Sequence, residues 1–550
     1  MTFLPIVDRE LRVAARLRGT YWSRVIMASL VILIAGGVLL ITGLAKGGIP
    51  VAPGQILFQV LKWLSFVATA VAGIFFTSDS LSEEKREGTL GLLFLTDLRG
   101  HDVVLGKLMA TSLRAAFGLL AVFPILGLSI LLGGVSGGEF WRVILVLANT
   151  LFFSLATGMF ISSVSRDTIK AVTGALVLGA FFFLLLPALD AAVKYGGAKL
   201  PTPLFSLASP SLSATETGAT RLGAFWCSVA STHGLGWVFI ALASFCTPRS
   251  WQQKTAGSGK GIRLRILAPS LAKRTAARAR MLERDPVLWL ADRDPWLRWA
   301  LRALVLVELV LLALAVGSSN PAMFATSATF IFYLLALPFG LWVALHASRF
   351  FCDGKRNGML ELVLATPVPA SQIVSGHWQA MRQLFLLPTL ALLLVSALAG
   401  WLQIEALRSI SPPGSSTGFG QLFGYQVASH AVGLLTFVTG LGALAWFGMW
   451  MGLTSRKTSA AFFKTIVFVK VLPWLVLSFV QGILLFSVVL ATRGQDWMWV
   501  SPLVSGGLAL GIDVAFIVVA RRKLVTSFRE MVAQTGGPVL LSGPLPTPSR

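Results

Sequence analysis

Long apolar stretches separated by short polar segments recur along the whole chain. Each stretch approaches the roughly twenty residues that an α-helix needs to cross a bilayer, and polar residues are sparse on every face of it. The pattern predicts twelve membrane-spanning helices, numbered here as spans one to twelve. In order, they cover residues 25–45, 55–77, 108–132, 142–164, 171–193 and 222–246, then 300–317, 324–348, 381–404, 422–453, 471–491 and 498–520.

Two charged segments at equivalent places between the spans resemble each other. The first motif, Glu83–Thr96, lies between spans two and three, and the second motif, Asp353–Thr366, follows at a constant offset of 270 residues between spans eight and nine. They share a Lys-Arg pair, a Gly two positions later, a Leu two positions beyond it and the closing Thr. Such self-similarity at fixed spacing indicates an internal duplication.

In each motif the charged start leads into an apolar stripe. Leu90, Leu93 and Phe94 in the first motif correspond to Leu360, Val363 and Leu364 in the second. Spacing of i, i+3 and i+4 places such residues on one face of a helix. We therefore expect a short helix on the membrane surface, with its apolar side toward the bilayer. A solvated loop is the alternative for a single copy, but two equivalent copies favour the helix.

The division into halves extends beyond the motifs. A Ser-Arg-x-Thr sequence follows span four at Ser165 and span ten at Ser455, and an amphipathic segment precedes span one. We therefore predict an all-α polytopic membrane protein of two six-helix repeats, each with an N-terminal interfacial helix. The predicted domains are residues 1–248 for the first repeat, 249–284 for a basic cytoplasmic linker, 285–530 for the second repeat, and 531–550 for a disordered tail.

Composition and charge agree with a membrane location. The chain of 550 residues is 55% hydrophobic and 13% charged, whereas soluble domains carry about 25% charged residues. Its net charge of +23 comes mostly from segments that lie in the cytoplasm if both termini do, as the positive-inside rule requires. Anionic lipid headgroups can balance this charge, so nucleic acid is not an expected partner. We expect a plasma (inner) membrane location.

The first motif, Glu-Glu-Lys-Arg-Glu-Gly-Thr-Leu, resembles the signature loop of the ABC-2 type permeases, and the amphipathic N-terminus and the Ser-Arg-x-Thr turn also fit. The resemblance implies a fused tandem permease of an ABC transporter, an exporter, whose motifs form cytoplasmic coupling helices. It also implies that ATP and Mg are used by separate cytoplasmic ATPase subunits, in two copies. The implied ATPase-coupling residues are Glu83, Glu84, Lys85, Arg86, Glu87, Gly88 and Leu90, with Lys355, Arg356, Gly358, Leu360 and Glu361 in the second motif.

The second motif departs from the family pattern. Gly354 and Asn357 stand where the first motif has Glu84 and Glu87, although Glu361 restores one acid. Because acidic residues favour a helix start and can meet basic groups of a partner, we expect the first motif to carry more of the coupling.

Catalytic chemistry and cofactor binding are not predicted for this chain. The stretch 257–261 lacks the Gly-x-x-x-x-Gly-Lys-Ser/Thr pattern of a phosphate loop, because Lys254 occupies the position of the first Gly. The five His and three Cys residues show no metal-ligand spacing. ATP hydrolysis is therefore expected in a partner protein.

Ionisable residues within predicted spans are candidates for function, because charge at membrane depth is unfavourable. Glu308 and Asp513 are the two intramembrane candidates, with Arg302 and Lys470 as possible partners. Lys62, Arg114, Arg142 and Arg382 lie nearer span ends, where their side chains can reach the headgroups.

Two other functions stay open: a two-repeat secondary transporter, and a membrane-embedded enzyme using such carboxylates. The sequence leaves the substrate and the direction of transport open. It also leaves open whether one chain forms the whole pore.

Overall fold

The computed structural model describes residues 52–95, 98–195, 203–218, 221–250, 286–291, 321–410, 416–455, 457–474 and 500–535, with a few isolated positions elsewhere. These residues form helices joined by short turns, and no strand occurs among them. The predicted all-α class is therefore confirmed for the described part of the chain.

Eight of the described helices are long and apolar enough to cross a membrane. They are Pro53–Glu87, Gly100–Leu131, Gly137–Val164, Leu222–Ser250, Leu335–Arg356, Ala370–Glu405, Phe423–Thr454 and Leu503–Thr526. They correspond to predicted spans two, three, four, six, eight, nine, ten and twelve. Span five is also helical, as Thr168–Ala180, a π-helical turn Phe181–Leu185, and Leu186–Tyr195.

Several predicted elements lie outside the described residues. They are the amphipathic N-terminus, most of spans one, seven and eleven, the basic linker and the C-terminal tail. The count of twelve spans and the layout of two repeats therefore remain predictions.

The chain divides into two compact units, Met1–Gly261 and Ile262–Arg550. In the first unit, the apolar core forms around span four, where Leu147, Phe153 and Met159 are fully or almost fully buried. Spans two, three and six pack around this helix. In the second unit, span eight packs against spans nine and ten, and span twelve lies against span ten.

Spans two and four approach closely at Gly158. A Cβ atom on Gly158 would lie 2.9 Å from the Ile74 carbonyl oxygen and 3.2 Å from the Ser78 nitrogen. Small residues permit such close packing of membrane helices.

The second unit has a similar contact at Gly448, where a Cβ atom would lie 3.4 Å from the Ala344 carbonyl oxygen and 3.3 Å from the Ser348 hydroxyl. Ala344 and Ser348 lie 270 residues after Ile74 and Ser78, and Gly448 lies 290 residues after Gly158. The same pair of helix positions is therefore in contact in each unit.

The spans next to the motifs begin and end differently from the sequence prediction. Span three begins at Gly100 rather than near 108, and its helix is interrupted at Ala121 and Val122, just before Pro124. Proline lacks the amide hydrogen that would continue the ladder of helical hydrogen bonds. Span nine likewise begins early, at Ala370, so the connection between each motif and the next span is short.

Candidate functional site

The first motif consists of two short helices joined by a glycine. Ser80–Glu87 continues from the C-terminal end of span two after a turn at Ser78 and Asp79, and Thr89–Phe94 follows Gly88. Gly88 has φ 73° and ψ 0°, a left-handed conformation that side-chain-bearing residues rarely adopt. The conformation of Gly88 therefore ends the charged helix and redirects the chain into the apolar one.

The second motif repeats this turn. Span eight continues without a break through Arg356, and Gly358, with φ 69° and ψ 2°, separates it from the helix Met359–Leu364. The equivalent glycine thus has nearly the same backbone angles in both motifs.

The leading leucine of each apolar stripe faces the protein rather than the bilayer. Leu90 and Leu360 are 1% and 0% exposed, and Leu93 and Phe94 pack against the core of the first unit. The expectation that this stripe contacts lipid is therefore wrong, because the short helices fold back onto neighbouring spans. The outward face instead presents Leu92 and its equivalent Leu362, which are 64% and 73% exposed.

The lysine of each motif binds the end of another span. Lys85 Nζ donates to the Ser163 carbonyl oxygen at the end of span four, and Lys355 Nζ donates to the Leu453 carbonyl oxygen at the end of span ten, at 2.6 Å. Leu453 lies 290 residues after Ser163, the same spacing that relates the Ser-Arg-x-Thr turns. The last carbonyls of a helix lack partners within the helix and favour a positive charge. Each lysine therefore ties its motif to a second span.

Glu84 is held inside the first unit. Its Oε1 atom lies 2.6 Å from Lys107 Nζ on span three, and its other carboxylate oxygen accepts a hydrogen bond from the Thr89 hydroxyl. The Glu84 and Lys107 side chains are 18% and 13% exposed. Glu84 therefore fixes the shape of the motif by holding it against span three.

The second unit lacks this ion pair, because both of its residues are replaced there. Gly354 replaces Glu84, and His377 replaces Lys107. His377 is buried, and its ring stacks on Phe350 with centroids 4.4 Å apart. An ion pair between motif and span is thus replaced by ring stacking between spans eight and nine.

Two further charges of the motifs, Arg86 and Asp353, form local pairs. In the first motif, Arg86 forms a two-point pair with Asp79, at 3.0 and 3.2 Å. In the second motif, Asp353 pairs with Arg349 at 2.9 Å and accepts a hydrogen bond from the Thr458 hydroxyl at 2.9 Å. Because Thr458 closes the Ser-Arg-x-Thr turn, that turn and the second motif are in direct contact.

The exposed part of each motif is its tip. Five of the predicted coupling residues are exposed: Arg86, Glu87 and Gly88 in the first motif, and Arg356 and Glu361 in the second. Asn357, beside Arg356, is exposed as well. Glu83 and Lys85 are half-buried, as are Lys355 and Gly358. A partner protein would therefore contact these exposed residues, together with Leu92 or Leu362, and we call this exposed part of each motif its tip.

Of the two intramembrane candidates, Asp513 has nearby polar partners. Its Oδ2 atom accepts a hydrogen bond from the Thr439 hydroxyl at 3.0 Å. The Lys470 ammonium group and Asp513 Oδ2 both border Gly440: a Cβ atom added there would overlap the ammonium group and lie 3.4 Å from the carboxylate oxygen. The structure therefore brings Asp513 and Lys470 together at this glycine.

Glu308 is 1% exposed, and neither of its carboxylate oxygens has a hydrogen-bond partner within the described part of the chain. Arg302 is exposed, and six residues along a helix correspond to a rotation of about 240°. The suggested pair between Arg302 and Glu308 is therefore not formed.

Lys62 also departs from expectation. It was expected to extend toward the headgroups, but it is 4% exposed, and its ammonium group lies 3.4 Å from the Thr217 hydroxyl. The sequence showed a lysine near a span end, whereas its burial depends on a distant loop that folds against span two.

Together these features define an α-helical, multi-pass membrane protein with two similarly built motifs, one in each unit. Among the described residues, no group of three or more His, Cys, Asp or Glu side chains is placed to hold a metal ion. The chain matches no protein-family model, and a search of curated proteins finds no match either. Its function must therefore be argued from the geometry of its own residues.

Proposed function

We propose that this protein is the permease subunit of an ABC transporter of the ABC-2 type. It exports a substrate when a separate cytoplasmic ATPase, bound as two copies, hydrolyses ATP with Mg. In this proposal, the two units descend from a duplicated six-span permease, both termini lie in the cytoplasm, and the host membrane is the plasma (inner) membrane.

The main support is the repeated construction of the two motifs. Each follows a span, turns at a left-handed glycine, buries one leucine and ties its lysine to a carbonyl at the end of a second span. Unrelated loops have no physical reason to share all four features. A common task performed twice, such as binding two copies of one partner, accounts for the similarity.

The exposed tips are suited to binding a protein. Leu92 and Leu362 place large apolar side chains in the open next to charged residues. At protein interfaces, a few large side chains that become fully buried contribute most of the binding energy. Each motif is also tied to more than one span, so a displacement of the tip by an ATPase would move those spans with it.

The first experiment tests docking with an aspartate at each exposed leucine. If a Walker-type ATPase is encoded beside this reading frame, the two proteins are purified together and reconstituted in liposomes. We expect Leu92→Asp and Leu362→Asp to reduce stimulated ATP hydrolysis by about tenfold or more, since the loss of an interface anchor corresponds to about 2 kcal/mol. Leu204→Asp is the matched control, because Leu204 is also exposed, at 53%, but lies far from both motifs in sequence.

Because Leu92 and Leu362 are exposed, these changes should leave folding and expression unaffected. Unchanged hydrolysis in both motif variants would contradict the proposed docking role. An equal loss in the Leu204→Asp control would mean that the assay reports general damage.

A second experiment addresses the inequality of the motifs. Glu87 and Asn357 occupy equivalent exposed positions directly before the turn, so Glu87→Lys and Asn357→Lys compare the same site in each motif. We expect Glu87→Lys to cause the larger loss of stimulated hydrolysis, because it reverses a charge rather than adding one. Equal losses would indicate that the two motifs contribute equally.

One observation favours the second candidate, a secondary transporter. The Asp513 carboxylate and the Lys470 ammonium group lie close together between helices of the second unit. Charged residues at membrane depth mark ion pathways in carriers. Transport driven by an ion gradient without ATP, and lost in Asp513→Asn, would support this alternative. Transport that needs the ATPase and survives this change would exclude it.

A further inference from the structure

At the end of the first unit opposite the motif, a short connection folds tightly against the spans. It contains the turn Ser206–Ala208 and the buried helix Pro210–Thr215. Asp190 accepts hydrogen bonds from the Ser206 amide, at 2.6 Å, and from the Ser206 hydroxyl. Ser228 on span six donates to the Ser209 carbonyl oxygen at 2.9 Å. The connection is therefore held in place by both neighbouring spans.

Two cationic side chains converge on the end of this connection. Thr217 is 1% exposed; its hydroxyl accepts from Lys62 Nζ at 3.4 Å, and its carbonyl oxygen accepts from Arg142 Nε at 2.7 Å. Lys62 reaches Thr217 from span two, and Arg142 reaches it from the first turns of span four. One residue thus brings together two charges from two helices.

These cations have unused hydrogen-bonding capacity. An ammonium group has three N–H donors and a guanidinium group has five, but each side chain makes one hydrogen bond among the described residues. Neither forms an ion pair with a described carboxylate. Glu139 influences Lys62 electrostatically without an ion pair, and Glu216 pairs with Arg221 at 3.9 Å.

A buried ammonium group with one long, neutral hydrogen bond is energetically unfavourable unless it loses its proton or a counter-charge reaches it. The arrangement therefore favours an anion that is not part of the described chain.

The surroundings locate the pair near a membrane surface. Lys62 Nζ lies 5.4 Å from the centre of the Trp63 ring, and Trp63 and Trp141 are both exposed. Exposed tryptophans are typical of the level of the lipid headgroups. Phosphate oxyanions are the most abundant anions at that level.

The second unit provides an internal comparison. At the offsets that relate the two motifs and the two Ser-Arg-x-Thr turns, Phe332 corresponds to Lys62 and Val432 to Arg142. Phe332 is buried and packs edge-on against Phe437. Two apolar residues can therefore occupy the equivalent positions, which means that span packing alone does not require the cations.

We propose that Lys62, Arg142 and Thr217 form a binding site for a phosphate oxyanion at the end of the first unit opposite its motif. The phosphate comes either from the headgroup of an anionic lipid or from a soluble anion. This site goes beyond the proposed coupling to an ATPase, and it can be tested on the purified chain alone.

The test measures binding of phosphatidylglycerol to the full chain in a neutral detergent by native mass spectrometry, with phosphatidylcholine as the reference lipid. A parallel arm measures stabilisation by inorganic phosphate and its competition with the lipid. The variants are Lys62→Gln with Arg142→Gln, and Arg142→Gln alone in case the double variant does not fold. Arg382→Gln is the control, because it removes an exposed cation from span nine.

We expect the affinity of the double variant to fall by about a hundredfold, and that of Arg142→Gln by about tenfold, because each lost charge-assisted hydrogen bond corresponds to roughly one decade. The Arg382→Gln control should bind as the unchanged protein does. If the variants lose lipid binding and inorganic phosphate neither stabilises the unchanged protein nor competes with the lipid, the site binds a lipid headgroup. If the variants lose both lipid binding and stabilisation by phosphate, the site is open to soluble anions. Unchanged affinity in Arg142→Gln, or an equal fall in Arg382→Gln, would overturn the proposal.

Discussion

The ion pair between Glu84 and Lys107 should determine how firmly the first motif is held against span three. The two groups are 2.6 Å apart, and less than a fifth of either side chain is exposed. A charge-assisted hydrogen bond contributes about 1.5–3 kcal/mol. We therefore expect Glu84→Gln to lower the free energy of opening the motif by about 2 kcal/mol, because glutamine keeps the size of the side chain but loses the charge.

A double-mutant cycle isolates this contact. Lys107→Met should have a similar effect, and the double variant should lose about 1–2 kcal/mol less than the sum of the single losses, since contacting groups are not additive. Hydrogen exchange of the backbone amides in 83–94 measures local opening directly. A loss of about 2 kcal/mol corresponds to roughly thirtyfold faster exchange.

The second motif serves as the control within the same molecule. Exchange in 353–364 should not change in any of these variants, because Gly354 and His377 form no such pair. Strictly additive effects in the double variant, or unchanged exchange in both single variants, would refute the assignment of Glu84 as an internal anchor.

Three further predictions follow from the glycines and the topology. Gly88→Ala should lower the melting temperature more than Gly88→Asn, because the left-handed φ of 73° disfavours alanine by about 1 kcal/mol and asparagine by less. Gly158→Ala should reduce the yield of folded protein in size-exclusion chromatography more than Gly448→Ala, since the new methyl group would lie 2.9 Å rather than 3.4 Å from a backbone oxygen. In a background without native cysteines, a cysteine introduced at Ser258 should be protected from an impermeant thiol reagent on intact cells. A cysteine introduced at Ser415 should be labelled by it, and the reverse pattern would contradict the predicted orientation.

The lengths of the apolar stretches were sufficient to predict the helical class and the position of most described spans. Its errors lie at the ends of spans, as at Gly100, where the helix begins well before the apolar stretch does. Hydropathy reports where a helix is apolar, whereas its first residue depends on capping. Here the Arg99 amide donates to Asp102 at 3.0 Å, a contact that begins the helix in its polar part.

The sequence located the two motifs but not the contacts that shape them. Ser163 and Leu453 were not predicted because they act through backbone carbonyls, which any residue can supply. Lys107 could have been found by comparing the two halves, since the acid at 84 and the base at 107 are both replaced in the second half. Lys62 could not, because its burial requires the loop near Thr217 to fold against it.

The ties of the first motif also limit how it can move. It is joined to span two by the chain, to span three through Glu84 and to span four through Lys85. Because the motif is attached to three spans, a push on its tip should displace all three together. The second motif is joined to span eight by the chain, to span ten through Lys355 and to the Ser-Arg-x-Thr turn through Asp353 and Thr458. It lacks only the buried ion pair that links the first motif to span three, so a push on its tip should likewise displace the helices to which it is joined.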